Sequence, residues 1–199
     1  MTRRARLIAV LAIVIAGGTA VISSTQTWLD VTLNDGAADT LAVPGTAAVP
    51  VLAPLGLAAL ALGLALTITG RVLRYVFGVL AVAIGASLLA LTWPVATELP
   101  VTAVASTVTE ATGLSGTNAV AALVAEITAT PWPWVTLVAA ALLIAGGAFT
   151  LATAHTWRGS GRRYRTDTPA AGAPGTAGSR PHDAIDSWDD LSRGADPTA

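Results

Sequence analysis

The chain has 199 residues, of which 53% are hydrophobic and only 12% are charged, and its formal net charge is −1. A soluble domain carries roughly 25% charged residues, so this composition cannot cover a water-facing surface and nearly excludes a soluble globular enzyme. The chain has no cysteine, which excludes disulfides, thiolate nucleophiles and cysteine-ligated metal centres. The small net charge indicates no nucleic-acid partner.

Four uncharged apolar segments are each close to the roughly 20 residues that a helix needs to cross a bilayer. They cover residues 7–22 (or 7–25 with one more turn), 51–69, 72–93 and 135–154. Because no water bonds the backbone inside a bilayer, each segment is predicted to be helical. The sequence thus predicts an all-α integral membrane protein with a four-helix membrane domain over 1–157. Glycines predicted to permit close helix contact are Gly17, Gly18, Gly56, Gly63, Gly78, Gly85, Gly146 and Gly147.

Arginine is segregated to one side of these four segments. It precedes the first span, lies between the second and third, and follows the fourth, whereas the loops 26–50 and 94–134 contain none. Under the positive-inside rule, both termini are predicted to be cytoplasmic and both loops to lie outside the plasma membrane, the inner membrane of a bacterium. The first segment also fits a cleaved signal peptide, which would leave three spans in the same orientation.

Tryptophan lies near the predicted ends of the spans, where an indole ring can contact lipid while its N–H contacts water. The predicted interface anchors are Trp28, Trp93, Trp132 and Trp134 at the outer side and Trp157 at the inner side.

The first outer loop has the pattern of a β-hairpin. Two extended stretches, 27–33 and 40–44, flank an Asn34-Asp35-Gly36 turn. This hairpin is either a cap that binds a ligand or partner, or a plain connector between two helices.

The second outer loop, by contrast, has helical spacing over 118–129. Its apolar residues Val120, Leu123, Val124 and Ile127 share one helical face. This segment is predicted to be an interfacial helix or a helix packed on the hairpin.

A basic juxtamembrane segment follows the fourth span and begins a C-terminal tail that is predicted to be disordered. Its arginines set the topology and attract anionic lipid; they are Arg158, Arg162, Arg163 and Arg165. The residues up to 181 are rich in Pro, Ala, Gly and Thr, so 158–181 is predicted to be a basic segment and flexible linker.

The last segment, 182–199, is predicted to form a short amphipathic helix. Asp183 can cap its start and Gly194 can end it, while Ile185, Trp188 and Leu191 share one face. A helix this short is marginal alone in water, so the three apolar residues are candidates for docking on a cytoplasmic protein.

The titratable residues do not converge on a catalytic or metal site. His155 and His182 belong to no triad or metal-binding spacing, so we expect no catalytic residue, no metal, no cofactor and no enzymatic activity. Ion-coupled carriers place ionisable groups at membrane depth, and the spans contain none. An uncoupled path for a small aromatic solute remains open.

Several motifs together resemble a known family. They are Thr27-Trp28, Gly70-Arg71, Thr130-Pro131-Trp132-Pro133-Trp134, Trp157, Arg163-Tyr164-Arg165, and the terminal run from Trp188-Asp189-Asp190 to Asp196-Pro197-Thr198. In these motifs the chain resembles the actinobacterial tryptophan-biosynthesis-associated membrane proteins, small four-span proteins. The resemblance implies a link to tryptophan biosynthesis through gene neighbourhood, and it implies no catalytic residues.

Two functional hypotheses follow, both for a protein whose first partner is the lipid bilayer. The preferred one is a non-enzymatic membrane protein that tethers or regulates a cytoplasmic partner, such as a tryptophan-pathway enzyme, through its C-terminal motif. The alternative is a small exporter or facilitator of tryptophan or an aromatic precursor such as anthranilate or indole.

Overall fold

The computed structural model describes residues 2–34 and 40–156 as a mostly helical fold. The helices are α1 (Thr2–Ser24), α2 (Gly45–Ala48), α3 (Leu52–Ala65), α4 (Arg71–Thr97), α5 (Val101–Thr112), α6 (Thr117–Leu123) and α7 (Trp132–Thr153). The strands are β1 (Thr27–Leu33), β2 (Leu41–Pro44) and β3 (Val124–Ala129), and a 3₁₀ turn (Ala154–Thr156) ends the described part.

Three helices are long and apolar enough to cross a membrane. They run over Arg4–Ser24, Val72–Thr97 and Trp132–Thr153, and they cover the first, third and fourth predicted spans. Their lengths follow from uninterrupted apolar sequence that a bilayer can surround.

The second predicted span, 51–69, is helical over Leu52–Ala65 only, so its helix is shorter than predicted and the crossing stays a prediction. Helix α3 has 14 residues, which rise about 21 Å. It then tightens into a turn in which the Thr67 and Ile68 N–H groups donate to carbonyls only three residues back. The Thr67 and Thr69 hydroxyls also donate to the carbonyls of Leu64 and Ala65. Such side chains compete with the backbone and favour helix ends.

The helices pack as antiparallel neighbours, with α1 between α3 and α7, and α7 between α1 and α4. Gly56 of α3 lies against Val21, near the end of α1, whereas Gly63 lies against Val14. Helix α7 is likewise antiparallel to α1, and α4 is antiparallel to α7. The order of the helices is therefore α3, α1, α7, α4, which differs from their order in the chain.

Close backbone approach at glycine makes this packing possible. A Cβ on Gly17 would lie 2.8 Å from the Leu60 backbone nitrogen, and one on Gly147 would lie 2.9 Å from the Gly78 carbonyl oxygen. Comparable crowding at Gly56, Gly63, Gly85 and Gly146 confirms the prediction for these positions. Gly18 is the exception, because its nearest neighbour would be 3.9 Å away. Without a hydrophobic force between helices in lipid, such contacts stabilise their association.

A three-stranded sheet of order β2-β1-β3 covers one end of the helices. Strand β1 pairs antiparallel with both neighbours, so that Asp30 lies opposite Ala42 and Thr128. Strands β1 and β2 match the extended stretches predicted for the first outer loop. Residues 35–39 of the predicted turn lie outside the described residues. The fold is thus mostly helical with a small sheet, rather than all-α.

The prediction of a helix over 118–129 is wrong for its second half. Helix α6 ends at Leu123, where the Asn34 N–H donates to the Leu123 carbonyl at 2.8 Å, and the chain continues as β3. Strand β3 occupies the second edge of β1 and places Ile127 opposite Val31. Unpaired backbone groups at that edge would cost free energy, so pairing with β1 overrides the local helical spacing.

The two ends of the described helices differ in composition. The sheet end carries β1, β2 and β3, which follow α1 and precede α7. The arginine end carries Arg4, Arg6 and Arg74, at the starts of α1 and α4, together with His155 after α7.

Candidate functional site

The predicted inner interface anchor and the predicted topology and docking residues of the tail lie outside the described residues and stay predictions. These are Trp157, Arg158, Arg162, Arg163, Arg165, Ile185, Trp188 and Leu191.

Among the predicted tryptophan anchors, Trp28 is placed differently from the rest. Trp93 is 52% exposed, Trp134 is 50% exposed, and Trp132 is half-buried; for these three the role of interface anchor stays a prediction. Trp28 is fully buried, so the prediction that it anchors the chain at a lipid interface is wrong. Its ring belongs to the protein core because β1 folds back over the end of α1.

Hydrogen bonds and close packing fix the position of the Trp28 indole. Its Nε1–H donates to both the carbonyl oxygen and the Oγ of Ser23, each at 3.0 Å. Gly45 lies directly against the ring, where a Cβ would be 2.7 Å from Nε1. Any side chain at position 45 would therefore collide with the indole, which explains a glycine at the start of α2.

A chain of hydroxyl groups continues from this indole to α7. The Ser23 and Thr136 hydroxyl oxygens are 2.7 Å apart, and the Thr136 hydroxyl donates to the Trp132 carbonyl at 3.1 Å. Each hydroxyl has one proton, so Trp28 donates to Ser23, Ser23 to Thr136, and Thr136 to the backbone. The buried polar groups thereby satisfy one another and connect α1, β1 and α7.

Two motifs far apart in the sequence meet at the same place. The Thr130 N–H donates to the Trp28 carbonyl at 2.9 Å, and the Thr130 hydroxyl donates to the Thr27 carbonyl at 2.7 Å. The Trp132 N–H in turn donates to the Thr130 hydroxyl at 3.4 Å. Sequence reasoning assigned these residues to two separate loops, and no local signal shows this pairing.

One buried hydroxyl near the sheet end differs from those above. Among the side chains that the structure describes, the Oγ1 of Thr92 on α4 is the buried polar atom that has no hydrogen-bond partner. Such a group weakens the fold, because its hydration is lost without replacement.

A cleft of about 600 Å³ opens at the sheet end between α2 and α5. Its α5 wall presents Thr102, Ser106 and Glu110, on successive turns of the helix. Pro44 and Thr46 belong to the opposite wall. A carboxylate beside hydroxyl groups can accept hydrogen bonds from an ammonium or hydroxyl group of a small solute.

The arginine end is built differently. Arg74 is 3% exposed, and its Nε–H donates to the Thr69 carbonyl at 3.1 Å, which satisfies the backbone after α3. Arg6 lines a smaller cavity of about 240 Å³ with Leu7, Val10 and Thr67. Within residues 2–34 and 40–156, no group of three or more His, Asp or Glu side chains could hold a metal ion.

Comparison with known families accounts for nearly the whole chain. The model of the tryptophan-associated transmembrane protein family matches residues 10–198. The chain belongs to this family. The match includes the two motifs that are hydrogen-bonded to each other, at Trp28 and at Thr130, as well as the C-terminal tail. Comparison with curated proteins and with solved structures found no match.

Family membership and the three long apolar helices together identify a multi-pass membrane protein that contacts a lipid bilayer. Its family is associated with tryptophan.

Proposed function

We propose that this protein is a non-enzymatic plasma-membrane protein of tryptophan biosynthesis that tethers or regulates a cytoplasmic partner through Ile185, Trp188 and Leu191. The observation that carries this proposal is the extent of the family match, which runs through the tail to residue 198. The family likeness thus includes the terminal motif as well as the membrane domain. A tryptophan-pathway enzyme is the partner that the family association favours.

The structure of the helical part supports an anchoring role. Arg4 and Arg6 lie at the start of α1, and Arg74 lies at the start of α4, all at the arginine end. Ion-coupled carriers need ionisable groups at membrane depth. Here the interior hydroxyls of Ser23 and Thr136 are engaged with one another. These features suit packing more than ion transfer.

The proposal includes four crossings with both termini in the cytoplasm. Gly56, in the first half of α3, lies beside Val21, and Thr67 after the helix lines a cavity with Arg6. Helix and turn together therefore run back along most of α1, although the helix alone is short. The positive-inside rule then favours a cytoplasmic arginine end.

This topology can be tested without background labelling, because the chain has no cysteine. Gly70 follows the turn after α3, and Thr117 lies at the sheet end; both are exposed. A membrane-impermeant maleimide should label Thr117→Cys but not Gly70→Cys in intact cells, and it should label both after lysis. Labelling of Gly70→Cys from outside would overturn the second crossing.

The tether is tested in strains that lack the gene and express defined variants at equal membrane levels. Growth without tryptophan and flux through the pathway are measured. We expect full-length protein to restore both, and the 1–181 truncation and Trp188→Ala to restore neither. Ser187→Ala is the matched control, since Ser187 is next to Trp188 but is not one of the three predicted docking residues. Full rescue by the 1–181 truncation would contradict a role for the tail.

The alternative function, export or facilitated passage of tryptophan, anthranilate or indole, is favoured by the sheet-end cleft. Its volume of about 600 Å³ exceeds that of a small aromatic solute, and its hydroxyls and Glu110 could hold polar substituents. Liposomes containing the protein would then release labelled solute faster than empty ones. Ser106→Ala and Glu110→Gln would slow release, and loss of residues 182–199 would not. Equal release from protein-containing and empty liposomes would reject this function.

A further inference from the structure

A small cavity lies at the arginine end, between the start of α1 and the turn that follows α3. It measures about 240 Å³ and is lined by Arg6, Leu7, Val10 and Thr67. The cavity therefore combines one guanidinium group with an otherwise largely aliphatic wall.

Arg6 is half-buried in this wall. The described carboxylates Asp30, Glu98, Glu110 and Glu126 belong to segments at the sheet end, and the antiparallel helices separate them from Arg6. The Thr67 hydroxyl donates its proton to the Leu64 carbonyl, so the Thr67 oxygen can act only as an acceptor in a further hydrogen bond. It can therefore bind a guanidinium N–H but not an anion. A partly buried cation is stabilised by an anionic partner, which must here be supplied from outside the described chain.

Aliphatic side chains continue away from the cavity along both helices. Leu7 is 61% exposed and Leu11, one turn further along α1, is 55% exposed. On the other side Leu64 is 62% exposed and Ile68 is 89% exposed. These surfaces belong to or border apolar segments that a bilayer surrounds, so hydrocarbon is their natural contact.

We propose that this cavity binds one anionic phospholipid, whose phosphate pairs with Arg6 while its acyl chains lie along Leu7 and Leu11. Arginine recognises phosphate through charge-assisted, often bidentate hydrogen bonds. Basic pockets between helices at the cytoplasmic surface bind the headgroups of anionic lipids. The proposal rests on the cytoplasmic placement of the arginine end and is independent of any partner of the tail.

The experiment compares two arginines on the same helix. Arg4 is exposed and does not line the cavity, whereas Arg6 does. Full-length protein in detergent is incubated with phosphatidylglycerol or with phosphatidylcholine, and retained lipid is counted by native mass spectrometry. The wild type and Arg4→Gln should retain one phosphatidylglycerol in preference to phosphatidylcholine. Arg6→Gln should lower that retention about tenfold, the loss expected for a hydrogen-bonded charge.

A second variant tests the cavity rather than the charge. Val10→Trp fills the space beside Arg6 and should also remove phosphatidylglycerol. Circular dichroism and the thermal midpoint confirm that each variant is folded. If Arg6→Gln is not folded, it is replaced by Arg6→Lys, which should retain part of the binding. Because the assay uses purified protein and lipid, failure of the tether in cells leaves its result unaffected.

Four results would overturn the proposal. Equal loss in Arg4→Gln and Arg6→Gln would indicate a general effect of charge, and unchanged retention in Arg6→Gln would exclude Arg6. Displacement of the lipid by millimolar inorganic phosphate would assign a site for free anions. A gain of bound lipid after Asp189→Asn and Asp190→Asn would assign the acidic tail as the natural occupant.

Discussion

The row of packed helices α3, α1, α7 and α4, here called the helical row, and the sheet end are stabilised by different interactions. In the row of α3, α1, α7 and α4, backbones approach closely at glycines such as Gly17 and Gly147. At the sheet end a large indole is buried, and hydrogen bonds connect Trp28, Ser23 and Thr136. The difference follows from the surroundings. Helices in lipid gain little from hydrophobic burial and depend on close packing, whereas strands need partners for their backbone groups.

The comparison predicts that the sheet end is most sensitive to loss of volume and hydrogen bonding, and the helical row to added volume. Four substitutions test this, from the largest expected effect to the smallest. In each case the free energy of unfolding is measured in detergent micelles.

Trp28→Ala should have the largest effect. It removes a fully buried side chain and should lower the free energy of unfolding by about 3–5 kcal/mol. Trp134→Ala is the control, because Trp134 is 50% exposed and its loss should cost much less. Equal effects of the two substitutions would mean that Trp28 is not part of a packed core.

Gly17→Ala should destabilise the helical row by about 1–3 kcal/mol, the usual cost of overpacking. Its Cβ would lie 2.8 Å from the backbone nitrogen of Leu60, which cannot move aside as a side-chain end can. The adjacent Gly18→Ala adds the same methyl group, with its nearest neighbour 3.9 Å away. It should be neutral or stabilising, because alanine is the better helix former. Similar losses for both would contradict the packing of α1 on α3.

Thr136→Val keeps the shape of the side chain and breaks the hydroxyl chain at its centre. The Ser23 hydroxyl then loses its acceptor at 2.7 Å, and we expect a loss of about 1–2 kcal/mol. Thr97→Val is the matched control, since Thr97 is exposed and bonds only within its own helix. No difference between the two variants would show that the chain of hydroxyls adds nothing to stability.

Thr92→Val should have the smallest effect and the opposite sign. The Thr92 hydroxyl is buried without a hydrogen-bond partner among the described residues, so its removal should raise the free energy of unfolding by up to about 1 kcal/mol. A clear loss of stability would instead reveal a buried water or another partner at this hydroxyl.

Much of the helical part was predictable from local sequence. The apolar segments 7–22, 72–93 and 135–154 lie within the long helices α1, α4 and α7, apart from the last residue of the third segment. The extended stretches at 27–33 and 40–44 match β1 and β2. The break after Ala65 was missed, because Leu66 to Thr69 are as apolar as a helix in lipid requires, and only their hydroxyl groups favour the turn.

The contacts around Trp28 at the sheet end could not be predicted from local sequence. Trp28 has the same sequence context as an interface tryptophan, at the end of an apolar segment. Its indole packs against Gly45, and its hydrogen-bond partner Ser23 is bonded to Thr136, far along the chain. Likewise β3 has helical spacing, and only the free edge of β1 makes it a strand.

Composition alone was enough to identify a membrane protein, because it decides which segments enter lipid, and the arginine pattern predicts the orientation of those segments. The tertiary structure decided the order of the helices, the burial of Trp28 and the conversion of 124–129 to a strand. Those features depend on contacts between residues distant in the chain, which no local pattern of residues contains.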